Sequence, residues 1–372
     1  MPYNIRRIHM DKIKKNFGFG CMRLPMAGEE VDYAEFNRMI DTFLAAGFNY
    51  FDTAHGYIGG KSETAIRDCL AARYPRESYI LTNKLSPGFF ESREQIRPLI
   101  ESQLALCGVE YFDFLLMHAM NNTRFDAFQQ MCAFEEALAL KAEGKIRHIG
   151  ISFHDKSKVL DKILTTRPEI EVVQLQFNYA DYEDPAVEGR KCYEVCRKHG
   201  KPVIVMEPVK GGKLAQMSED ALDVFRALGG GSAASYAIRY AAGFEGIMMV
   251  LSGMGNMDMM NDNLSFMGNF QPLNETELEA VDKVRKILIQ QNQVACTGCR
   301  YCVDGCPAGI PIPEVFSIFN EKKRNKEGNT ADADYAALEN NASACLGCGQ
   351  CENECPQHLH IRELLEAVHK AF

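Results

Sequence analysis

Eight short apolar segments recur through the first 290 residues of this 372-residue chain, and they constrain its fold more than any other feature. They are rich in Ile, Val, Leu and Phe, and polar or amphipathic stretches of helical length lie between them. Strands that are apolar throughout are typical of a parallel sheet covered on both faces. We predict strands at residues 16–20, 48–54, 79–84, 112–118, 146–152, 172–179, 202–208 and 246–253.

Helices are predicted between these strands. Two examples are residues 33–47 and 126–144, each closed by a glycine of the kind that ends helices. Eight strands alternating with helices is the count of a (β/α)₈ barrel, or TIM barrel. The alternative α/β fold, a doubly wound open sheet, would favour a G-x-G-x-x-G turn after the first strand, and GFGCMRLP lacks one. We therefore predict a barrel over residues 1–290.

Polar residues end three successive predicted strands, where a barrel carries its active site. Asp52 ends the second strand with Tyr57 following in the loop, Lys84 ends the third and His118 ends the fourth. Singly, each has an ordinary explanation, as a turn cap, a solvated lysine or a core histidine. Together they form an acid–base set, because an ammonium beside a phenol lowers its pKa and lets it donate a proton near neutral pH.

A different pattern follows residue 290. Two cysteine runs, CTGCRYCVDGCP and CLGCGQCENECP, repeat one spacing of four cysteines and a proline. This is the ligand pattern of a ferredoxin with two iron–sulfur clusters. Zinc bound by paired C-x₂-C motifs is the alternative, but it does not explain two Cys-Pro endings. We predict a second domain, residues 291–372, with two [4Fe–4S] clusters on Cys296, Cys299, Cys302, Cys306, Cys345, Cys348, Cys351 and Cys355.

Charge and cysteine use narrow the function classes. The net charge of −9 argues against nucleic-acid and membrane-surface partners, which favour a basic face. No apolar run reaches the roughly 18 residues of a spanning helix, and the N-terminal segment lacks the apolar core of a secretory signal. The other six of the 14 cysteines are scattered, unlike the disulfide framework of a small secreted domain. We expect a cytoplasmic protein.

The segments FDTAHGY, LTNK and LLMH carry Asp52, Tyr57, Lys84 and His118, and through them residues 1–290 resemble the aldo-keto reductase superfamily. The resemblance implies a catalytic tetrad in which Tyr57 is the general acid, Lys84 and Asp52 tune it, and His118 orients the substrate. The implied activity is NAD(P)H-dependent reduction of a small-molecule carbonyl, or oxidation of an alcohol, by hydride transfer.

The same resemblance implies a nicotinamide-cofactor site. Ser152 and Gln174 stand where the family holds the carboxamide, residues 205–214 resemble its pyrophosphate loop, and residues 252–263 resemble its adenosine segment. The full implied set is Met22, Arg23, Ser152, Gln174, Met206, Gly211, Gly212, Ser252, Gly253, Met254, Asn256, Asp262 and Asn263.

Two positions depart from the family's pattern. The residue expected to stack on the nicotinamide ring is Met206 rather than an aromatic residue, and a thioether makes a softer contact. Gly253 and Met259 stand where family members that prefer NADPH carry basic residues for the 2′-phosphate. Without a cation, that phosphate has little to pair with. We therefore expect NADH to be preferred over NADPH, unless a lysine from elsewhere, such as Lys213, substitutes.

Residues 291–372 are similar to α-helical ferredoxin domains, because the bridge between the two cysteine runs is longer than in compact bacterial ferredoxins. The bridge is predicted to be helical, with a polar turn near Gly328. The resemblance implies that the fourth cysteine of each run crosses to the other cluster. One cluster would then bind Cys296, Cys299, Cys302 and Cys355, and the other Cys345, Cys348, Cys351 and Cys306. The domain shows few large apolar residues, so we expect cluster binding to supply much of its folding free energy.

The role of the clusters is left open. A nicotinamide transfers two electrons as a hydride and a [4Fe–4S] cluster accepts one, so enzymes that join them ordinarily place a flavin between. No flavin motif is present. The clusters of a carbonyl reductase could be structural or sense redox state, or a ferredoxin- or flavodoxin-type partner could pass electrons through them to a substrate. Alternatively, the chain is an iron–sulfur electron-transfer protein whose barrel only docks or scaffolds, although the intact tetrad weighs against this.

Overall fold

The computed structural model describes residues 12–324 and 330–372, and eight parallel strands form a closed barrel within it. Each strand pairs with its neighbours along the chain, and β1 closes the barrel by pairing with β8. The strands are β1 Phe17–Gly20, β2 Tyr50–Asp52, β3 Ile80–Leu85, β4 Phe112–Met120, β5 Ile146–Phe153, β6 Val172–Gln176, β7 Val203–Met206 and β8 Ile247–Ser252. The predicted barrel is confirmed, and the open sheet is excluded.

Helices occupy most connections between the strands. Their bounds are α1 Tyr33–Ala45, α2 Lys61–Ile66, α3 Arg93–Cys107, α4 Asn122–Gln130, α5 Ala133–Ala142, α6 Ser157–Thr166, α7 Gly189–Lys198, α8 Glu219–Arg226, α9 Ala233–Ala242, α10 Met257–Met267, α11 Glu275–Gln291, α12 Ile312–Arg324, α13 Ala331–Ala336, α14 Gln350–Glu354 and α15 Ile361–Ala371. Within the described ranges, none of these helices is both long and apolar enough to cross a bilayer.

One predicted helix is wrong in detail. Residues 126–144 were expected to form a single helix, but α4 ends at Gln130 and α5 begins at Ala133. Between them, Cys132 adopts a left-handed backbone with φ of 53°. Because a left-handed residue cannot continue a right-handed helix, the chain turns there. No glycine or proline lies between α4 and α5 that would have indicated this break in the sequence.

Apolar side chains from most strands fill the barrel. One buried cluster joins Tyr50, Ile80, Phe114, Leu116, Val172, Ile204, Met249 and Leu251, which lie on six of the eight strands. Side chains in such layers make a barrel a packed core rather than a pore. On the outer side, Phe43 of α1 packs against four aromatic rings of β1, β2 and the segment that precedes β2, with centroids 5.2 to 6.2 Å apart. These rings pack α1 against β1 and β2, next to the strand end that carries Asp52.

The chain divides into two compact units, and the second is discontinuous. The first contains the described residues up to Glu183 together with Glu188–Pro208 and Ala237–Leu273. The second joins Asp184–Val187, Val209–Tyr236 and Asn274–Phe372. The boundary predicted at residue 290 stays a prediction. The second unit nevertheless includes the segment after β7, which lies before that boundary, and α11, nearly all of which does.

The C-terminal part of the second unit is helical, as the sequence predicted. The polar turn predicted near Gly328 lies outside the described residues. The expectation of a domain with little core is wrong, because Ile312, Phe316, Ile361, Leu365 and Val368 belong to one buried apolar cluster. The cysteines Cys302 and Cys351, one from each run, belong to the same cluster. Apolar burial therefore stabilises this region alongside whatever cluster binding contributes.

Candidate active site

A buried ion pair lies at the C-terminal ends of β2 and β3. The Lys84 ammonium donates to Asp52 Oδ1 at 2.5 Å and to the Thr53 carbonyl at 2.8 Å. Lys84 is fully buried and Asp52 is 3% exposed. Burial raises the pKa of Asp52, while the Lys84 cation and a hydrogen bond from Gln174 oppose that rise. A charge so deeply buried is tolerated only when it is paired, so Asp52 and Lys84 depend on each other.

The Tyr57 ring lies against this pair and beside a histidine. Lys84 Nζ is 4.8 Å from the centroid of the Tyr57 ring. The Tyr57 and His118 ring centroids are 6.0 Å apart in a T-shaped arrangement. The structure therefore brings together all four residues of the predicted tetrad, Asp52, Tyr57, Lys84 and His118. A phenol, an ammonium and an imidazole in this arrangement can transfer a proton to a carbonyl oxygen and hold that oxygen in place.

His118 is held as a neutral imidazole. Burial, followed by the positive charge of Lys84 and the neighbouring His154 and Arg124, holds its pKa well below the ordinary value for histidine. Ser86 Oγ shares a 2.7 Å hydrogen bond with His118 Nδ1 and orients the ring. Sequence analysis missed Ser86, although it is a polar residue that directly follows β3. A neutral imidazole fits a role in orienting a carbonyl oxygen better than a role as the proton source.

The two residues expected at the nicotinamide carboxamide lie side by side. Ser152 of β5 and Gln174 of β6 are register partners, and both are buried. A hydroxyl and an amide together offer the donors and acceptors that a carboxamide needs, so this part of the chain fits the group. Gln174 Nε2 also donates to Asp52 Oδ2 at 3.1 Å, a link that sequence analysis did not anticipate.

The predicted adenosine segment follows β8. Asn263 of α10 donates from Nδ2 to Ser252 Oγ at 2.8 Å, and Asn256 caps α10 by accepting from the Met259 amide at 2.9 Å. Gly253 leaves room for the Arg23 side chain, whose Cβ would lie 3.4 Å from a Cβ at that position. The structure thus brings an arginine to the segment that was expected to lack a cation.

The remaining predicted cofactor residues occupy several positions. Met22 lies in the loop after β1, Met206 ends β7, and Asp262 lies within α10. Met254 is completely buried. Gly211 and Gly212 belong to the second unit, in a 3₁₀ turn at Lys210–Gly212. Their assignment to a cofactor site stays a prediction.

In the second unit, Cys302 of the first run lies near cysteines of both runs. Burial, and then the nearby thiols of Cys299, Cys296 and Cys355, raise the pKa of the Cys302 thiol to about 12. Cys355 belongs to the second run, yet it lies beside three cysteines of the first. This four-cysteine set fits the ligand requirement of one [4Fe–4S] cluster.

The other four cysteines line one cavity. Its walls contain Cys306, Cys345, Cys348 and Cys351, together with apolar side chains such as Ile310 and Leu365. Here Cys306, from the first run, joins three cysteines of the second. Within the described ranges, no three His, Cys, Asp or Glu side chains are placed to hold a single metal ion. A cubane does not require such a placement, because each thiolate binds a different iron, and so the donor set fits a cluster.

Comparison with known protein families agrees with this geometry. The family model described as "Aldo/keto reductase family" matches residues 16–286, well over half of the chain. The chain belongs to the aldo/keto reductase family. A second model, "4Fe-4S dicluster domain", matches residues 295–359. The protein is thus an oxidoreductase of the aldo/keto reductase family that carries a C-terminal 4Fe-4S dicluster domain.

Relatives of this aldo/keto reductase match its barrel. The "Uncharacterized oxidoreductase YqkF" of Bacillus subtilis is 24% identical over 72% of this chain and 92% of its own. The holo form of aldo-keto reductase AKR11C1 from Bacillus halodurans has a TM-score of 0.59 and 25% identity, and it covers 72% of this chain and 91% of its own. An aldo-keto reductase from Klebsiella pneumoniae in complex with NADPH has a TM-score of 0.57 at 18% identity, over 73% and 90% of the two chains, and supports the fold.

One further pair in this aldo/keto reductase escaped sequence analysis. His55 Nδ1 is 2.7 Å from Glu63 Oε2, and Glu63 is completely buried. Asn83 donates to the other carboxylate oxygen at 2.8 Å. His55 lies between Asp52 and Tyr57 in FDTAHGY, which was the signal available in the sequence. The pair ties the loop that carries Tyr57 to the outer face of β3.

Proposed function

We propose that this aldo/keto reductase transfers a hydride between a nicotinamide dinucleotide and a small-molecule carbonyl or alcohol, with Tyr57 as the general acid. The observation that carries the proposal is the buried Asp52–Lys84 pair against the Tyr57 ring, with neutral His118 beside it. A buried charge pair is costly to maintain, and such groups concentrate where chemistry requires them.

The roles of the residues follow from their contacts. Tyr57 would donate its hydroxyl proton to the carbonyl oxygen, since the neutral His118 is poorly suited to be the acid. Lys84 would stabilise the tyrosinate that remains, because its ammonium lies over the ring. His118, oriented by Ser86, would hold the carbonyl oxygen. When bound at Ser152 and Gln174, the nicotinamide supplies the hydride.

The cysteines would hold two [4Fe–4S] clusters, one on Cys296, Cys299, Cys302 and Cys355 and the other on Cys306, Cys345, Cys348 and Cys351. The neighbouring thiols around Cys302 and the four-cysteine cavity support this division. A bound cluster supplies one-electron chemistry and constrains the backbone that carries its ligands.

Turnover tests the proposal directly. Protein purified under nitrogen would be mixed with NADH and a panel of aldehydes, ketones and quinones, and NADH oxidation would be followed at 340 nm with product analysis. At least one carbonyl should be reduced at a rate that depends on enzyme concentration. NADH binding without turnover of any carbonyl or alcohol, in either direction, would count against the reductase assignment.

Cofactor preference gives a second test. With Gly253 and Met259 at the positions expected to bind a 2′-phosphate, NADH should bind more tightly than NADPH. Lys213 donates to the Val294 carbonyl, so that lysine is already engaged. Direct titration of both cofactors by fluorescence measures the preference. Tighter binding of NADPH would contradict the prediction, and loss of that preference in Arg23→Met would identify Arg23 as the cation responsible.

An alternative function is electron transfer from an external ferredoxin- or flavodoxin-type carrier through the clusters. Cys348 is exposed and the neighbouring Leu346 is 72% exposed, so a carrier could approach this four-cysteine set. We expect NADH alone to bleach the clusters much more slowly than turnover, because the sequence has no motif for a flavin that would divide the electron pair. Stopped-flow absorbance under nitrogen measures this rate. Bleaching as fast as turnover would place the clusters in the catalytic path.

A further inference from the structure

The loop that follows β7 lies against the first cysteine run. We call residues 209–214 the cofactor loop, because they carry the glycines assigned to the pyrophosphate. Gly211 has φ of 65°, and a Cβ there would lie 2.9 Å from both the Cα and the carbonyl carbon of Thr297. Thr297 stands between Cys296 and Gly298, inside the first run. The backbones of the cofactor loop and the first run are therefore in direct contact, and only glycine fits.

A second contact joins the cofactor loop to the helical part of the same unit. Lys213 Nζ donates to the Val294 carbonyl. Asn320 of α12 accepts from the Val294 amide at 2.7 Å and donates to the same Val294 carbonyl at 2.9 Å. Val294 is 4% exposed and Asn320 is 3% exposed. The backbone of Val294, two residues before the predicted ligand Cys296, is thus hydrogen-bonded to both Lys213 and Asn320.

A third contact extends the attachment toward α8. Gln291, at the end of α11, donates to Ser218 Oγ at 2.5 Å. Ser218 occupies the N-cap position of α8, the helix that follows the cofactor loop. Three contacts within seven residues, at Gln291, Val294 and Thr297, therefore connect the segment entering the first cysteine run to the chain that follows β7.

These contacts make the position of the cofactor loop depend on the first cysteine run. Cys296, Cys299 and Cys302 lie on both sides of Thr297, so binding a cluster fixes the backbone that Gly211 touches. We propose that cluster binding by the first run orders the cofactor loop and thereby sets the affinity for the pyrophosphate of the nicotinamide dinucleotide. The cluster on this run controls cofactor binding structurally, without exchanging electrons with it. The inference rests on the proposed function and on the predicted assignment of this loop to the pyrophosphate of the cofactor.

The expected size of the effect comes from chain entropy. A loop that is already ordered loses little freedom when its amides close on a phosphate. A loop that becomes ordered only on binding loses conformational entropy at that step, and this weakens the affinity. Fixing the backbone of one or two residues is equivalent to about a tenfold or larger rise in Kd. We therefore expect a rise of at least about tenfold in the Kd for NADH when either the cluster or the loop contact is removed.

The experiment compares Cys299→Ala, which removes a predicted ligand, with Lys213→Met, which removes the hydrogen bond from the cofactor loop to Val294. NADH Kd is measured by fluorescence under nitrogen, and iron and sulfide are determined on the same samples. Lys201→Met is the matched control, because that half-buried lysine also donates to a backbone carbonyl, that of Pro168, within the first unit. Both test variants should bind NADH at least about tenfold more weakly, Lys213→Met with its iron intact, and the control should bind like the wild type.

The double variant decides between coupling and two independent roles. If the cluster acts through the loop contact, Cys299→Ala with Lys213→Met should bind about as weakly as either single variant. Losses that multiply would overturn the inference, and so would unchanged affinity in both single variants. Titration of the wild type with NADH, before and after anaerobic reconstitution with iron and sulfide, provides a test that needs no substitution. An NADH Kd that does not change on reconstitution would also overturn the inference. A wild type that is replete in iron but binds neither NADH nor NADPH would instead refute the proposed function.

Discussion

Tyr57→Phe is expected to lower kcat by roughly 10²–10⁴-fold, the usual scale for loss of a general acid. Phenylalanine keeps the ring that contacts Lys84 and His118 and removes only the hydroxyl. The fold and the affinity for NADH should therefore change little. Steady-state turnover of the best carbonyl substrate, together with NADH titration, measures both quantities.

A matched control is available in Tyr193→Phe. That hydroxyl donates to the Glu245 carbonyl at 2.7 Å on the exposed side of α7, so its loss should leave kcat within about twofold. Near wild-type turnover in Tyr57→Phe would remove Tyr57 from the mechanism. Lys84→Met is a poorer test, because it would leave the buried Asp52 carboxylate without its cation and lower the free energy of unfolding by several kcal/mol, about 3–5 in comparable cases.

The second large effect is a change in iron content when a cysteine of the two runs is replaced. Anaerobically purified protein should contain about eight iron atoms per chain, and Cys299→Ala should contain about four. The remaining thiols around Cys302 cannot complete a four-cysteine set once Cys299 is removed. Iron and sulfide analysis, with absorbance near 400 nm, measures the loss. Cys132→Ala is the control, since this half-buried cysteine lies outside both runs, and it should keep the full iron content.

Loss of one cluster should change the structure of the C-terminal region only in part. Phe316, Val368 and their neighbours give the C-terminal region an apolar core of its own, so residues 291–372 should loosen rather than unfold completely. The barrel has a separate core and should keep its structure. Hydrogen exchange followed by mass spectrometry resolves the two regions. Full iron content in Cys299→Ala, or stoichiometric zinc in the wild type, would contradict the cluster assignment.

The barrel and the proximity of the four predicted tetrad side chains could be predicted because each depends on local pattern. Apolar strands, and polar residues at their ends, specify where Asp52, Lys84 and His118 must meet once the sheet closes. The contacts that escaped prediction are of another kind. The Ser86–His118, Gln174–Asp52 and His55–Glu63 hydrogen bonds join side chains whose partners are set by packing, and sequence spacing does not encode that packing.

The cofactor loop shows the same limit over a longer distance. The glycines at 211 and 212 have a sufficient local explanation in phosphate binding, and the CTGC segment has one in cluster binding. Nothing in either pattern indicates that Gly211 would touch Thr297. The break at Cys132 is similar, since its left-handed backbone arises from the packing of two helices rather than from a residue that prefers it.

Because the second unit is made of separate segments of the chain, it limits how domains can be exchanged between proteins of this kind. A gene cut after the codon for residue 290 would separate Val209–Tyr236 from the Gln291, Val294 and Thr297 that it contacts. Residues 291–372 therefore cannot be transferred to another barrel by a single fusion at residue 290. A working chimera would have to carry the segment after β7 with it, as two exchanged pieces designed together.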